Sequence, residues 1–182
     1  MDPFFVAAAA VAATACVTDL KTGTIPNRLT LPVLALAPLA RMAYAKHAGL
    51  AADDVALEGA LSVVGALVAS AVPATLYRKS AIGAGDVKLF AALGALAHPS
   101  LGLEILSFSF VVAIVLAPVS LIYRGTFART LGNLVTLAAN LVRPAHARRE
   151  VPAAAMTWLK MGPAIFVGTL VALGLHVSGG AS

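Results

Sequence analysis

Charge is scarce in this sequence. Only 12% of its 182 residues are Asp, Glu, Lys or Arg and 60% are hydrophobic, whereas soluble domains carry about 25% charged residues. A chain this poor in charge cannot coat a water-soluble globule, and its mean hydropathy of +0.92 assigns it to the membrane. Cysteine is nearly absent. The single Cys16 excludes an intramolecular disulfide and any cysteine-built zinc site. Aromatic residues make up 6%, and the basic residues behind the net charge of +5 are dispersed between apolar runs. They form no basic stripe interleaved with aromatics, so a nucleic-acid partner is not expected. The apolar run from Phe4 to Val17 lacks a preceding basic segment, so it does not read as a cleavable signal peptide. Polar stretches are too short for a separate soluble domain, and residues 1–182 are expected to form a single integral-membrane domain.

What is present is a series of apolar segments near the length of about 20 residues that a spanning helix needs. Six are expected: Pro3 to Asp19, Leu29 to Ala45, Leu57 to Tyr77, a short one from Asp86 to Ala97, Leu101 to Tyr123, and Met161 to Val177. The fold class is therefore all-α and polytopic. Orientation follows from the excess of Lys and Arg in short cytoplasmic loops. Lys21, Arg28, Arg78, Lys79, Lys88, Arg124, Arg129, Arg143, Arg148, Arg149 and Lys160 fall on one side, 11 of the 13 basic residues. Arg41 and Lys46 fall on the other, with Asp2, Asp53, Asp54 and Glu58. Six crossings of the inner (cytoplasmic) membrane with both termini outside satisfy this bias. Between Arg124 and Lys160, Phe127, Leu131, Leu134, Val135, Leu137, Leu141 and Val142 recur mostly at three- and four-residue spacing. That pattern predicts an amphipathic helix on the cytoplasmic membrane surface, ended by Pro144.

Ionisable residues at the edge of a span are functional candidates, because burying them is costly. Asp19 closes the first expected span and Asp86 opens the fourth, both on the cytoplasmic side. Two converging carboxyls that share a proton cannot both ionise cheaply, so one serves as acid and the other as base. The same residues, taken separately, would suit capping or snorkelling at an interface. Asp86 follows Gly83-Ala84-Gly85, and two glycines let another backbone approach the aspartate closely. The segment lacks the endings of phosphate-binding or dinucleotide loops. Lys21 and Lys88 either tune the carboxyls or snorkel, while Pro26 and Asn27 shape the turn into the second span. His47, His98, His146 and His176 are spread over separate segments and suggest no metal cluster.

The run Gly83 to Asp86 matches the G-x-G-D motif of intramembrane aspartyl peptidases, and with its continuation Val87-Lys88-Leu89-Phe90-Ala91-Ala92-Leu93-Gly94 it resembles the type IV prepilin peptidases. Upstream, Asp19-Leu20-Lys21 followed by Ile25-Pro26-Asn27 resembles the first catalytic segment of that family. Gly162-Pro163-Ala164 resembles the start of its closing helix. The resemblance implies an aspartic endopeptidase that removes a short basic leader from prepilins or pseudopilins just before their hydrophobic helix, at the cytoplasmic face. Asp19 and Asp86 match the catalytic pair; no metal or organic cofactor is implied. The family's bifunctional members carry paired Cys-x-x-Cys motifs and methylate the new N-terminus. This sequence lacks those cysteines and looks like the small, peptidase-only branch of tight-adherence (Flp) pili and archaeal preflagellins. The competing reading is a small proton- or cation-coupled transporter that uses the same two aspartates.

Overall fold

The computed structural model describes residues 2–123, Gly132 and residues 160–179. Among them every regular element is helical: α1 (Pro3–Thr22), α2 (Asn27–His47), α3 (Ala52–Arg78), α4 (Ala84–Tyr123) and α5 (Gly162–Gly179). α1, α3, α4 and α5 are each long and apolar enough to cross a membrane, as expected of a multi-pass membrane protein. The amphipathic segment expected between Arg124 and Lys160 lies outside the described residues, Gly132 apart. Contacts divide the chain into two compact units, Met1–Ala113 with Lys160–Ser182, and Ile114–Leu159. The described part of the second is the last turns of α4 and Gly132. All that follows concerns the first unit.

Local chemistry sets the ends of α1. The Asp2 carboxylate accepts from the Phe4 N–H at 2.8 Å, and Pro3 occupies the first turn, where its missing N–H costs nothing. At the other end Gly23 adopts φ 70°, a conformation that costs glycine little, and its N–H bonds to the Asp19 carbonyl at 2.9 Å. The buried residues of α1 are Phe4, Ala8, Ala12, Ala15 and Asp19, three or four apart. They form one stripe of the helix, so Asp19 is carried into the interior by the same face as the alanines. α1 lies against α5, where Asp19 meets Gly162 and the Phe5 ring meets His176 edge-on at 5.5 Å, while Phe4 at the head of the stripe turns to Tyr44 and Arg41 of α2. On its other side α5 approaches α4 closely, since a methyl on Gly168 would stand 2.5 Å from the Ser109 amide nitrogen, and small residues at such crossings are the usual device where lipid removes the hydrophobic drive between helices.

The first arm of α4 is the centre of the bundle. Residues 89–97 are all buried, and an apolar helix covered on every side belongs in a core. Against it lies α3, so tightly that a methyl on Gly65 or Gly94 would overlap the other residue's carbonyl. Phe90 stacks on Phe110 of the second arm at 6.0 Å. The arms meet at His98, with φ 65° and ψ 172°. Pro99 accounts for the extended ψ, because a proline ring disfavours helical geometry in the residue before it. The sequence had placed a division here, between Ala97 and Leu101; it is a one-residue break rather than a loop.

The end of the bundle away from Asp19 is held by a buried arginine. Arg41 of α2 is 7% exposed. Its guanidinium lies 3.5 Å from Asp2, 3.7 Å from Glu58 and 4.0 Å from the centre of the Phe4 ring, and it donates to the Leu96 carbonyl. Glu58 also approaches His98 Nε2 at 3.2 Å. Arg41, expected on the side opposite the two aspartates, ties α1, α2, α3 and the end of the first arm of α4 together.

Candidate active site

Asp19 and Asp86 are both buried, at 5% and 9% exposure, and stand close enough for the charge of one to act on the other. Sixty-seven positions apart in sequence, they come together because one ends α1 and the other begins the core arm of α4. Each is oriented by a backbone amide. Asp86 occupies the third position of α4, and its Oδ2 accepts from the N–H of Gly83, just before the helix, at 3.0 Å. This is the carboxylate half of a capping box and fixes the rotamer. Asp19 Oδ2 accepts from the Gly162 N–H at 2.9 Å. Gly162 opens α5, so Asp19 caps a helix distant in sequence and receives the favourable end of its dipole.

The residues around the aspartates serve as fasteners. Gly85 faces Ile25, where an added methyl would meet Ile25 Cβ at 3.1 Å and its carbonyl at 3.3 Å, so the α1–α2 turn lies directly on the Gly83–Asp86 segment. Pro26 sits just before α2 in extended geometry and Asn27 begins the helix. Asn27 Oδ1 accepts from Lys88 Nζ at 2.8 Å, joining the turn to α4. Lys88, weighed from sequence as a tuner of the carboxyls or a snorkelling side chain, thus bonds the turn. Lys21 is exposed on the last turn of α1. From the other direction Lys160 Nζ donates to the Leu20 carbonyl at 2.8 Å, securing the approach to α5.

Three participants had no role assigned from sequence: the Gly162 amide, Ile25 and Lys160. The visible signal for the first was Gly-Pro at the head of an apolar segment, which marks a helix start but not what its free amide meets. Among the described residues no group of three His, Cys, Asp or Glu side chains could hold a metal ion. What the arrangement offers is two buried carboxyls at one end of the bundle, each with one oxygen occupied by a backbone donor.

No curated protein and no solved structure gives a significant match to this chain. A family model does: the one describing the type IV leader peptidase family matches residues 6–118, from the first turns of α1 to near the end of α4. The match contains Asp19, the Ile25-Pro26-Asn27 turn and Gly83 to Asp86, and the chain belongs to the type IV leader peptidase family.

Proposed function

We propose that this protein is an aspartic endopeptidase that removes the basic leader from prepilin-like proteins at the cytoplasmic face of the inner membrane, with Asp19 and Asp86 as its catalytic pair. The observation that carries the reading is the convergence of these two buried carboxyls, each held by a backbone N–H at 2.9 and 3.0 Å. In this mechanism the ionised member of the pair takes a proton from water as it attacks the scissile carbonyl. The protonated member polarises that carbonyl and then donates to the leaving amine. Burial strengthens both effects, and the fixed rotamers remove the reorganisation that free side chains would need.

The distribution of basic residues supports the cytoplasmic side, since Lys21, Arg28, Arg78, Lys79, Lys88 and Lys160 flank the helix ends nearest the aspartates. Six crossings with outer termini follow if the arms of α4 on either side of His98 each traverse the bilayer and α2, which is not among the four helices long and apolar enough by themselves, crosses with them. The substrate is a leader-bearing protein whose hydrophobic helix follows the cleavage point; peptide cleavage alone is proposed, without methyl transfer. A transporter would need acids strung along a path, and no observation favours that reading over a pair at one end.

The test is processing of a membrane-embedded prepilin-type substrate by wild type, Asp19→Asn and Asp86→Asn. Asparagine keeps the volume and removes the proton exchange, so both variants should fold and neither should cleave. Processing that survives either substitution refutes the pair.

A further inference from the structure

Among the described residues one buried hydroxyl has no hydrogen-bond partner. Thr30, in the first turn of α2, is 1% exposed, and its Oγ1 is unpaired. The other buried hydroxyls, on Ser62, Ser109 and Thr169, each donate to a backbone carbonyl at 2.6–2.7 Å. For Thr30 the usual acceptor, the carbonyl four residues back, belongs to Pro26 and already receives the amides of Leu29 at 3.0 Å and of Thr30 itself at 3.4 Å. A buried hydroxyl left unpaired destabilises a fold, and a valine of nearly the same shape would not. We propose that Thr30 is a substrate-binding residue, its hydroxyl donating to the main chain of the peptide just beyond the scissile bond; the inference rests on the leader-peptidase reading above.

The position suits that role. Thr30, Ala37 and Arg41 lie along the buried stripe of α2, and the two ends of this stripe meet α4, where Asn27 accepts from Lys88 and Arg41 donates to the Leu96 carbonyl. Thr30 is thus buried toward the core arm of α4, whose first turn holds Asp86. It stands three residues past Asn27, about 4.5 Å further into the bundle, and Asn27 is bonded to a lysine two residues from Asp86. That depth equals one to two residues of extended chain, at about 3.3 Å each. A peptide bond presented to the pair must leave the helix, so the residues that follow it enter the apolar layer with main-chain groups unpaired. Lipid cannot satisfy them, and the protein must. Thr30 carries the one buried hydroxyl among the described residues that is free to do so. The Asn27–Lys88 bond, one turn away, holds α2 to α4 here, and the peptide reaches the hydroxyl as that bond parts.

The test measures cleavage by the full chain in phosphatidylethanolamine–phosphatidylglycerol vesicles, with a probe made of a basic leader and an apolar helix of about 20 residues, and thermal unfolding in detergent. Thr30→Val should melt no lower than wild type, since the fold loses no bond. It should raise KM about tenfold and leave kcat within about twofold, the signature of a contact made equally in the ground and transition states. Thr30→Ser keeps the hydroxyl and should restore the wild-type KM. Thr169→Val is the control: it removes a buried hydroxyl that already has its partner, and should leave KM unchanged. A Thr30→Val enzyme that cleaves with the wild-type KM overturns the assignment and leaves the peptidase reading standing. So does a Tm several degrees below wild type, which would show the hydroxyl to be paired already in the free protein. Equal losses in Thr30→Val and Thr30→Ser overturn it as well, because packing and not the hydroxyl would then be responsible. Wild type that cuts nothing refutes the peptidase reading, and this assignment with it.

Discussion

Replacing Gly162 by alanine isolates the geometry of the site from its chemistry. The added methyl would stand 2.7 Å from Asp19 Cβ and 2.8 Å from its Oδ2, where carbon contacts are comfortable at about 3.5–4.0 Å. Asp19 must therefore retreat by roughly 1 Å, or α5 must move by as much. Either way the 2.9 Å bond from the Gly162 amide is lost or lengthened. A misplacement of this size costs about 100-fold in rate, equivalent to about 2.7 kcal/mol of barrier. The overpacking itself costs about 1–3 kcal/mol of stability. Cleavage of a membrane-embedded prepilin-type substrate in proteoliposomes measures the first, and thermal unfolding in detergent the second. Gly174→Ala is the control: the same change in the same helix, at a position where an added methyl meets nothing within 4 Å. It should cleave at the wild-type rate. A Gly162→Ala enzyme that is folded and cleaves within threefold of wild type would refute the role given to the amide of α5.

The remaining predictions concern the fasteners. Asn27→Ala and Lys88→Ala should each slow cleavage several-fold, and the double variant should be no slower than the worse single one. Additive losses in that double-mutant cycle would show that the 2.8 Å contact is not a functional unit. Arg41→Ala removes the cation between Asp2 and Glu58, both only partly buried, along with its bond to the Leu96 carbonyl, which should cost about 1.5–3 kcal/mol in stability. Because Arg41 lies at the other end of the bundle, cleavage per folded molecule should hardly change; a large loss in kcat with an intact fold would contradict this. Gly94→Val should abolish folded protein altogether, since backbone of α3 occupies the space, and its recovery at wild-type yield would deny the close α3–α4 crossing.

The catalytic candidates were legible because they broke the composition. In a chain with so few acids, Asp19 and Asp86 stood out at the ends of apolar runs, and the residues beside them carried the family's pattern. The helices were legible for the same reason, as apolar lengths between polar turns. Which face of each helix turns inward was not. The stripe Phe4, Ala8, Ala12, Ala15, Asp19 has helical spacing. Yet the opposite face, with Val6 and Val17, is equally apolar, because lipid accepts what a core accepts. Periodicity without contrast carries no direction, so the partnership of α1 with α5, and with it the Gly162 amide, could not be read. The partners of Arg41 were hidden in the same way. Charge bias sets it on the side opposite Asp19 and Asp86, but does not tell that Phe4, Asp2, Glu58 and the Leu96 carbonyl together replace the hydration it loses there.

The two ends of the bundle therefore divide the work. At the Arg41 end, a cation, two carboxylates and a carbonyl at the break in α4 bind four helical segments through charged contacts that are costly to separate in an apolar medium. At the aspartate end, the joints are hydrogen bonds, Gly162 to Asp19, Lys88 to Asn27 and Lys160 to the Leu20 carbonyl, each worth about 0.5–3 kcal/mol net. Thermal opening starts where joints are weakest. Under the proposed function, a substrate would therefore meet a bundle pinned by charge at the Arg41 end and held by hydrogen bonds, which part more readily, at the end where its peptide bond must reach Asp19 and Asp86.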